Sequence, residues 1–266
     1  VQEQFGAVTF HTGDGAAFVA YQGTDNSLVG WKENFNMGFQ FPVPAQAEAA
    51  RYLEAAARAW PGVPLRIGGH SKGGNLAVYA AATCSPEVRE RILAVYNNDG
   101  PGFVGTLLES PGYLAIQDRV HTYVPQSAVV GMLLNHAEDY VIIRSSQRLI
   151  LQHDPYSWET EEGRFVHLQK LDSGSVLLDH TLRSWIYGME PAQREGFVDA
   201  LYEILSASEA ETLPQLAADW IWRLPRVIRK LHNLDAASRR VVKRTLLQLF
   251  RSARDTIPEV WLSGLV

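Results

Sequence analysis

The chain has 266 residues, 46% of them hydrophobic and 20% charged, with a formal net charge of -5 at pH 7. This composition is typical of a globular protein with one large core and room for a smaller appended domain, and it argues against disorder and against nucleic acid as a partner for the whole chain. Cys84 is the single cysteine, which excludes an intrachain disulfide framework, and no uncharged apolar run reaches the roughly 20 residues of a membrane helix.

The sequence begins at Val1, without a methionine or a signal peptide, and enters a strand almost at once. We therefore expect that a segment preceding Val1 is missing. A lone cysteine does not decide the redox compartment, but a reducing cytoplasmic location fits it best.

Two β-rich runs, residues 4–11 and 16–22, open the chain on either side of Gly13-Asp14-Gly15, which predicts a tight hairpin. Residues 35–44 contain aromatics and prolines without a clean period, which predicts a loop at the sheet edge or a lip over the substrate. Alanine is frequent in residues 45–60, which end before a Pro-Gly pair, and this pattern predicts a helix.

The next segment organises the rest of the chain: an apolar strand at residues 65–68, a sharp glycine turn and an alanine-rich helix at residues 75–83. Its centre, Gly69-His70-Ser71-Lys72-Gly73, matches the G-x-S-x-G pattern, in which a serine occupies a strained strand-to-helix turn. Small flanking residues are needed because a Cβ there would collide with the neighbouring strand or helix. We predict Ser71 as a nucleophile, with a plain glycine turn as the alternative.

A second informative segment follows a short helical turn at residues 86–91 and the buried parallel strand predicted at residues 92–96. The strand ends in Asn97-Asn98-Asp99-Gly100-Pro101. Functional groups collect at the carboxyl ends of the strands in open α/β sheets, so Asp99 is within range of Ser71 as the acid of a triad. Asp-Gly-Pro is also common turn chemistry, which is the alternative interpretation.

Other acids are available further along the chain. Strands are predicted at residues 120–124 and 141–144, and Glu138 and Asp139 lie just before the second of them. These two carboxylates are fallback candidates for the acid, although charges at such positions are more often only solvated.

The order serine, acid, histidine that this fold expects requires a histidine after the acid. His153 follows an apolar stretch in a loop with Pro155, Tyr156 and Trp158, and it could take the serine proton as general base. His136 and His121 are weaker candidates. Asp154 is expected to be a turn residue, because adjacent side chains point apart.

The composition changes after a last strand predicted at residues 164–171. Helical apolar spacing runs through residues 182–189, 191–207, 212–234 and 235–256. We therefore expect a core domain at residues 1–174 and a helical region at residues 175–266. The last helices are rich in Lys and Arg, which is typical either of a solvated face or of peripheral contact with an anionic membrane or an acidic partner.

Four blocks together are more specific than the serine motif alone: residues 21–37, 68–77, 98–103 and 152–158. Through them the chain resembles the Mbeg1-like family of lipase-related α/β hydrolases over nearly its whole length. Its Gly23-Thr24 strand end is similar to that of class 3 lipases, and the Asp99 loop resembles the acid loop of pancreatic-type lipases. The resemblance implies an α/β-hydrolase fold, a mostly parallel central sheet flanked by helices, with an α-helical C-terminal extension.

In lipases of this kind the main-chain N–H groups after the Gly23 equivalent and after the nucleophile bind the oxyanion, which implies Thr24 and Lys72 here. The resemblance aligns Ser127 with the class 3 acid position, and this departure from the family pattern favours Asp99 as the acid. The side chain of Lys72 is expected at the surface; the alternative is an ammonium that favours acidic or phosphate-bearing substrates.

The expected function is a serine hydrolase of lipase or esterase type, which acts on a small-molecule or lipid-like ester through Ser71, His153 and Asp99 with no cofactor or metal. Two other classes stay open. One is an acyltransferase or peptidase that uses the same triad, and the other is a non-catalytic protein that retains the fold and binds a partner.

Overall fold

The computed structural model describes residues 3–25, 28–38, 40–206, 229–230 and 232–262. Among these, the chain forms two compact units. The sheet unit contains residues 5–23 and 41–179, and the helical unit contains the described residues of 1–4, 24–40 and 180–264. The boundary expected between residues 174 and 175 stays a prediction.

The sheet unit is built on a seven-stranded sheet in the order β1-β2-β3-β4-β5-β6-β9. The strands from β2 to β6 are parallel, whereas β1 and β9 are antiparallel to their neighbours. Its strands are β1 (Ala7–His11), β2 (Ala17–Tyr21), β3 (Leu65–His70), β4 (Ile92–Asn98), β5 (Val120–Pro125), β6 (Tyr140–Ile143) and β9 (His167–Leu168), and a separate two-stranded sheet pairs β7 (Thr160–Glu161) with β8 (Arg164–Phe165).

The described helices follow the order of the chain. They are α1 (Leu28–Asn36), α2 (Pro44–Ala59), α3 (Lys72–Thr83), α4 (Pro86–Glu90), α5 (Pro111–Leu114), α6 (Ser173–Tyr187), α7 (Pro191–Ser206) and α8 (Ala236–Leu262). Short 3-10 turns span Leu107–Glu109, Gln117–Arg119, Val130–Met132, Leu149–His153 and Pro155–Ser157. The α/β class, with a mostly parallel sheet flanked by helices, is confirmed.

The core of the sheet unit lies between the sheet and helices α2 and α3. Leu65 and Ile67 of β3, Leu53 of α2 and Leu76 of α3 are completely buried there. The alanines of the alanine-rich helix predicted after Ser71 are also buried, along α3. β3 and α3, on either side of the turn that carries Ser71, are thus both packed into this core.

Several local predictions need correction. Residues 164–171 are not one strand: β8 pairs with β7, whereas β9 pairs with β6. Between them, the N–H of Val166 donates to the carbonyl oxygen of Glu159, and its carbonyl oxygen accepts from the N–H of Arg144. Helix α1 was not predicted, and it extends into the segment expected to be a loop at residues 35–44. Helix α6 begins at Ser173, nine residues before the predicted start, and the predicted helix at residues 212–234 lies mostly outside the described residues.

The helical unit has its own small core. Phe197, Ala200 and Ile204 of α7 pack with Leu234 and Val242, the latter on α8. Helix α8 begins after Asp235, whose carboxylate accepts a hydrogen bond from the main-chain N–H of Ser238 at 3.0 Å, as an N-cap residue does.

Candidate active site

Ser71 lies at the turn between β3 and α3, in a backbone conformation that is rare for a residue with a side chain. Its φ is 58° and its ψ is -130°, and its main-chain N–H donates to the carbonyl oxygen of Asn98 at 2.9 Å. The turn is too tight for a side chain on either flanking glycine: a Cβ on Gly69 would lie 2.4 Å from the Gly73 carbonyl carbon. The local sequence therefore forms the strained turn that the G-x-S-x-G pattern predicts.

Asp99 lies directly after β4, the strand next to β3 in the sheet. Its N–H donates to the carbonyl oxygen of Tyr123 at 2.7 Å, and its φ is 50°. One carboxylate oxygen, Oδ1, accepts a hydrogen bond from the N–H of Gly131 at 3.0 Å. The side chain is 1% exposed, so its direction is set by the surrounding main chain.

The other carboxylate oxygen of Asp99 forms a hydrogen bond with His153, the histidine predicted from the sequence as the general base. Oδ2 of Asp99 and Nδ1 of His153 are 2.6 Å apart, across 54 residues of sequence. Because an ionised carboxylate only accepts, Nδ1 of His153 carries the proton, and Nε2 is left as the atom that could take a proton from a nucleophile. The hydrogen bonds of His153 in the described structure go to Asp99 and His70, and none reaches the hydroxyl of Ser71.

His70, the residue before Ser71, makes a contact that the sequence did not predict. Its Nε2 lies 2.7 Å from the main-chain carbonyl oxygen of His153, and since a carbonyl only accepts, Nε2 is the donor. The two imidazole rings are 4.5 Å apart between centroids. Burial, followed by the neighbouring His153, lowers the pKa of His70, so its neutral form is favoured.

Hydrogen bonds of the neighbouring residue, Gln152, also hold the loop that carries His153 in place. The side chain of Gln152 is buried, accepting from the N–H of Ser127 at 2.8 Å and donating to the carbonyl oxygen of Gln147 at 3.0 Å. The main-chain carbonyl oxygen of Gln152 accepts a hydrogen bond from the indole N–H of Trp158 at 2.9 Å. Ser127, which the resemblance to class 3 lipases aligns with their acid, thus supports the histidine loop, and its hydroxyl donates to Asp172 at 2.5 Å.

Asn75 fixes the loop after Asp99. It is fully buried on α3, and its amide group donates to the carbonyl oxygens of Pro101 and Gly102 at 3.0 and 2.9 Å. Its own oxygen accepts from the side chain of Gln46 at 2.9 Å. The sequence analysis did not identify Asn75; the signal that could have found it is an amide side chain among the small residues of this helix.

The fallback acids are not brought to His153. The side chain of Glu138 is 5% exposed and accepts hydrogen bonds from Tyr113 and Thr122 at 2.5 and 2.6 Å, and its Oε1 lies 3.3 Å from Nδ1 of His136. Burial opposes its ionisation, but the bonds from His136, Thr122 and Tyr113 outweigh burial and lower the pKa of Glu138 to about 2. Asp139 is exposed.

Two weaker expectations can be placed in the same part of the fold. Asp154 accepts a hydrogen bond from the N–H of Tyr156 at 3.0 Å, which is the expected turn role. His121 lies within β5, where its ring stacks on Tyr96 at 5.5 Å.

Lys72 begins helix α3, so its N–H belongs to the first turn, whose amides have no acceptor within the helix itself. Lys72 is only 1% exposed, so the expectation of a surface lysine is wrong. Thr24 falls in the helical unit, where its hydroxyl accepts from the amide of Asn34 at 2.6 Å. The oxyanion roles of both residues stay predictions.

A family model, Mbeg1-like, matches residues 1–203, which is more than three quarters of the chain. The chain belongs to the Mbeg1-like family. Membership of this lipase-associated family suggests a hydrolase of lipase type. No curated protein matches the chain. Within the described residues, no helix combines the length and apolar character that a bilayer crossing requires.

Proposed function

We propose that the protein is a serine hydrolase of lipase or esterase type, in which Ser71 is the nucleophile, His153 the general base and Asp99 the residue that orients the base. The observation that carries this proposal is the 2.6 Å contact between Nδ1 of His153 and Oδ2 of Asp99. This contact favours the tautomer with the proton on Nδ1, which leaves Nε2 able to accept the proton of a serine hydroxyl, as catalysis by a serine hydrolase requires.

The proposed reaction has two halves. The hydroxyl oxygen of Ser71 attacks an ester carbonyl while Nε2 of His153 takes its proton, and the N–H groups of Lys72 and Thr24 bind the oxyanion. His153 then returns the proton to the departing alcohol, which leaves an acyl group on Ser71. Water, deprotonated by His153, releases the acid and restores the serine.

The hydrogen bond between Ser71 and His153 forms, in this proposal, when substrate is bound. Catalytic hydrogen bonds are commonly long before substrate binds and shorten in the complex. His70 supports this arrangement, since it is adjacent to Ser71 and bonds to the carbonyl oxygen of His153.

Labelling with a fluorophosphonate probe tests the proposal, because such probes react with an activated serine. We expect labelling of the wild type, none of Ser71→Ala, and full labelling of Ser206→Ala, which removes an exposed serine at the end of α7. Hydrolysis of p-nitrophenyl esters of short and long acyl chains then distinguishes esterase from lipase preference.

The acid is tested by a second matched pair. Asp99→Asn keeps an oxygen for the N–H of Gly131 but presents an amide to Nδ1 of His153, so we expect labelling to slow roughly a thousandfold or more. Asp139→Asn should label as the wild type does. If the folded wild-type chain takes no label, the catalytic proposal fails, and a partner-binding protein becomes the better account.

A further inference from the structure

The outward face of helix α8 combines positive charge with exposed apolar side chains. Its exposed cations are Arg239, Arg240, Lys243, Arg244, Arg251 and Arg254. Its exposed apolar residues are Leu246, Leu247 and Phe250, which are 42%, 48% and 71% exposed. We call these nine residues the basic face of α8.

These residues lie on one side of the helix because they recur at spacings that about 3.6 residues per turn brings together. Lys243, Leu247, Phe250 and Arg254 follow one another at intervals of four, three and four. The opposite side packs inward: Val242 is 9% exposed and Thr245 is fully buried, with the carbonyl oxygen of Thr245 accepting from the indole N–H of Trp185 at 3.0 Å. The basic face is therefore the exposed side of α8 among the residues of the helical unit that the structure describes.

The charge of this face is opposite to that of the chain. Residues 236–254 contain six cations and no acid, although the whole chain carries a net charge of -5. At the C-terminal end of the face, Arg254 pairs with Asp255 at 2.8 Å. Acids one turn away from cations stabilise a solvent-exposed helix face through ion pairs, and residues 236–254 contain no such acid.

We propose that the basic face of α8 binds the surface of a membrane that contains anionic lipids. The cations would meet the lipid phosphates and carboxylates, while Phe250 and the two leucines enter the boundary between headgroups and acyl chains. Lipid is favoured over a purely polyanionic partner because Phe250, the most exposed of the three apolar residues, is an aromatic side chain with no polar atom that stands among the cations. The helix lies in the plane of the surface and does not cross it.

Co-sedimentation with vesicles tests this proposal on the full chain, with Ser71→Ala as a second sample. We expect binding to vesicles of equal parts phosphatidylcholine and phosphatidylserine, weakened by salt, and binding to phosphatidylcholine alone that is weaker by about tenfold or more. Ser71→Ala should bind as the wild type does, so the result is independent of the proposed catalysis.

Matched variants distinguish binding through the basic face of α8 from an effect of the overall charge of the protein. The double variant Arg244→Glu with Arg251→Glu should lose about tenfold or more of the binding to the anionic vesicles. Arg51→Glu with Arg58→Glu makes the same change of charge on α2 and should change binding little. Phe250→Ser should weaken binding roughly tenfold, whereas Leu114→Ser, at an exposed leucine of α5, should not.

Three outcomes would overturn the proposal. They are equal binding to both kinds of vesicle, equal losses in the α2 and α8 double variants, and unchanged binding by Phe250→Ser when the charge variant has lost it. The last outcome would mean that the face binds a polyanion through charge alone and that Phe250 does not enter a lipid layer. Absence of binding to either kind of vesicle, with circular dichroism showing folded protein, would also overturn the proposal and would point to an acidic protein as the partner.

Discussion

The imidazole of His70 donates a hydrogen bond to the main-chain carbonyl oxygen of His153, 2.7 Å away, while the two rings lie 4.5 Å apart. The residue next to the proposed nucleophile thereby holds the backbone of the proposed base. The rings of Trp158 and His70 also form a T-shaped contact, with centroids 6.4 Å apart. His70 is thus a positioning residue in the proposed mechanism, not one that touches the reacting atoms.

Replacement of His70 should separate its hydrogen bond from its bulk. His70→Leu removes the donor, and we expect kcat for ester hydrolysis to fall roughly a hundredfold with little change in KM, since a small displacement of the base is costly. In His70→Gln the amide reaches about as far as Nε2 and should restore most of the activity. Equal losses in both variants, measured by steady-state kinetics, would contradict a role through this bond.

The stability of the protein should also depend on His70 as the pH falls. Its pKa is lowered on folding, first by burial and then by His153, so the unfolded chain binds the proton more tightly. Above the unfolded pKa of about 6.5, His70 is neutral in both the folded and the unfolded chain, and its burial costs no stability through ionisation. As the pH drops below about 6.5, the free energy of unfolding decreases. Urea denaturation of the wild type and His70→Gln at several pH values should show a weaker pH dependence in the variant.

Gly131 should be essential for the orientation of Asp99. A Cβ at this position would lie 2.2 Å from Oδ1 of Asp99 and 3.0 Å from its Cα, and the N–H of Gly131 is a donor to that same oxygen. We expect Gly131→Ala to lower kcat by roughly a hundredfold and the free energy of unfolding by about 1–3 kcal/mol.

The control for this substitution is Gly13→Ala in the β1–β2 hairpin, where a Cβ meets no heavy atom within 4 Å. It should retain wild-type kinetics and stability. Normal activity in Gly131→Ala would mean that the Asp99 carboxylate does not need its present position.

Gln152 should matter through its side-chain amide. Gln152→Met preserves size but leaves the buried N–H of Ser127 without its acceptor, which costs about 1–3 kcal/mol of unfolding free energy. The histidine loop would loosen, so we also expect a lower kcat. Gln147→Met, at an exposed glutamine of the same loop, keeps the carbonyl oxygen that Gln152 uses and should behave as the wild type in denaturation and kinetics.

Glu138 should contribute to stability, in contrast to the neighbouring Asp139. Its pKa is lowered from 4.5 to about 2 because the bonds from His136, Thr122 and Tyr113 outweigh the opposing effect of burial. The shift corresponds to roughly 3 kcal/mol, which is present above pH 4.5 and lost as the pH falls towards 2.

Chemical denaturation at neutral pH should therefore find Glu138→Gln less stable than the wild type by a few kcal/mol, and Asp139→Asn nearly unchanged. The difference between Glu138→Gln and the wild type should shrink in acid. A difference that stays constant between pH 7 and pH 3 would show that the effect is steric.

Local sequence patterns were sufficient where the structure depends on nearby residues. The glycines around Ser71, the apolar run before Asp99 and the Gly13-Asp14-Gly15 turn each predict a backbone conformation over a few residues, and the structure has those conformations. Helix α1 was missed because Gly30 lies within it and its apolar residues have only weak helical spacing. Residues 164–171 were misjudged because pairing partners, not composition, divide them into two short strands.

The sequence by itself determined the strained turn at Ser71, an acid after the next strand and a histidine further on, in the order that a hydrolase of this type uses. Only the tertiary structure decided which carboxylate meets which histidine: Asp99 bonds to His153, and Glu138 lies beside His136. It also decided that His70 holds the backbone of His153 and that Lys72 is enclosed. The physical reason is that residues 54 or 83 positions apart meet only through the order and register of the parallel strands, which no local pattern encodes.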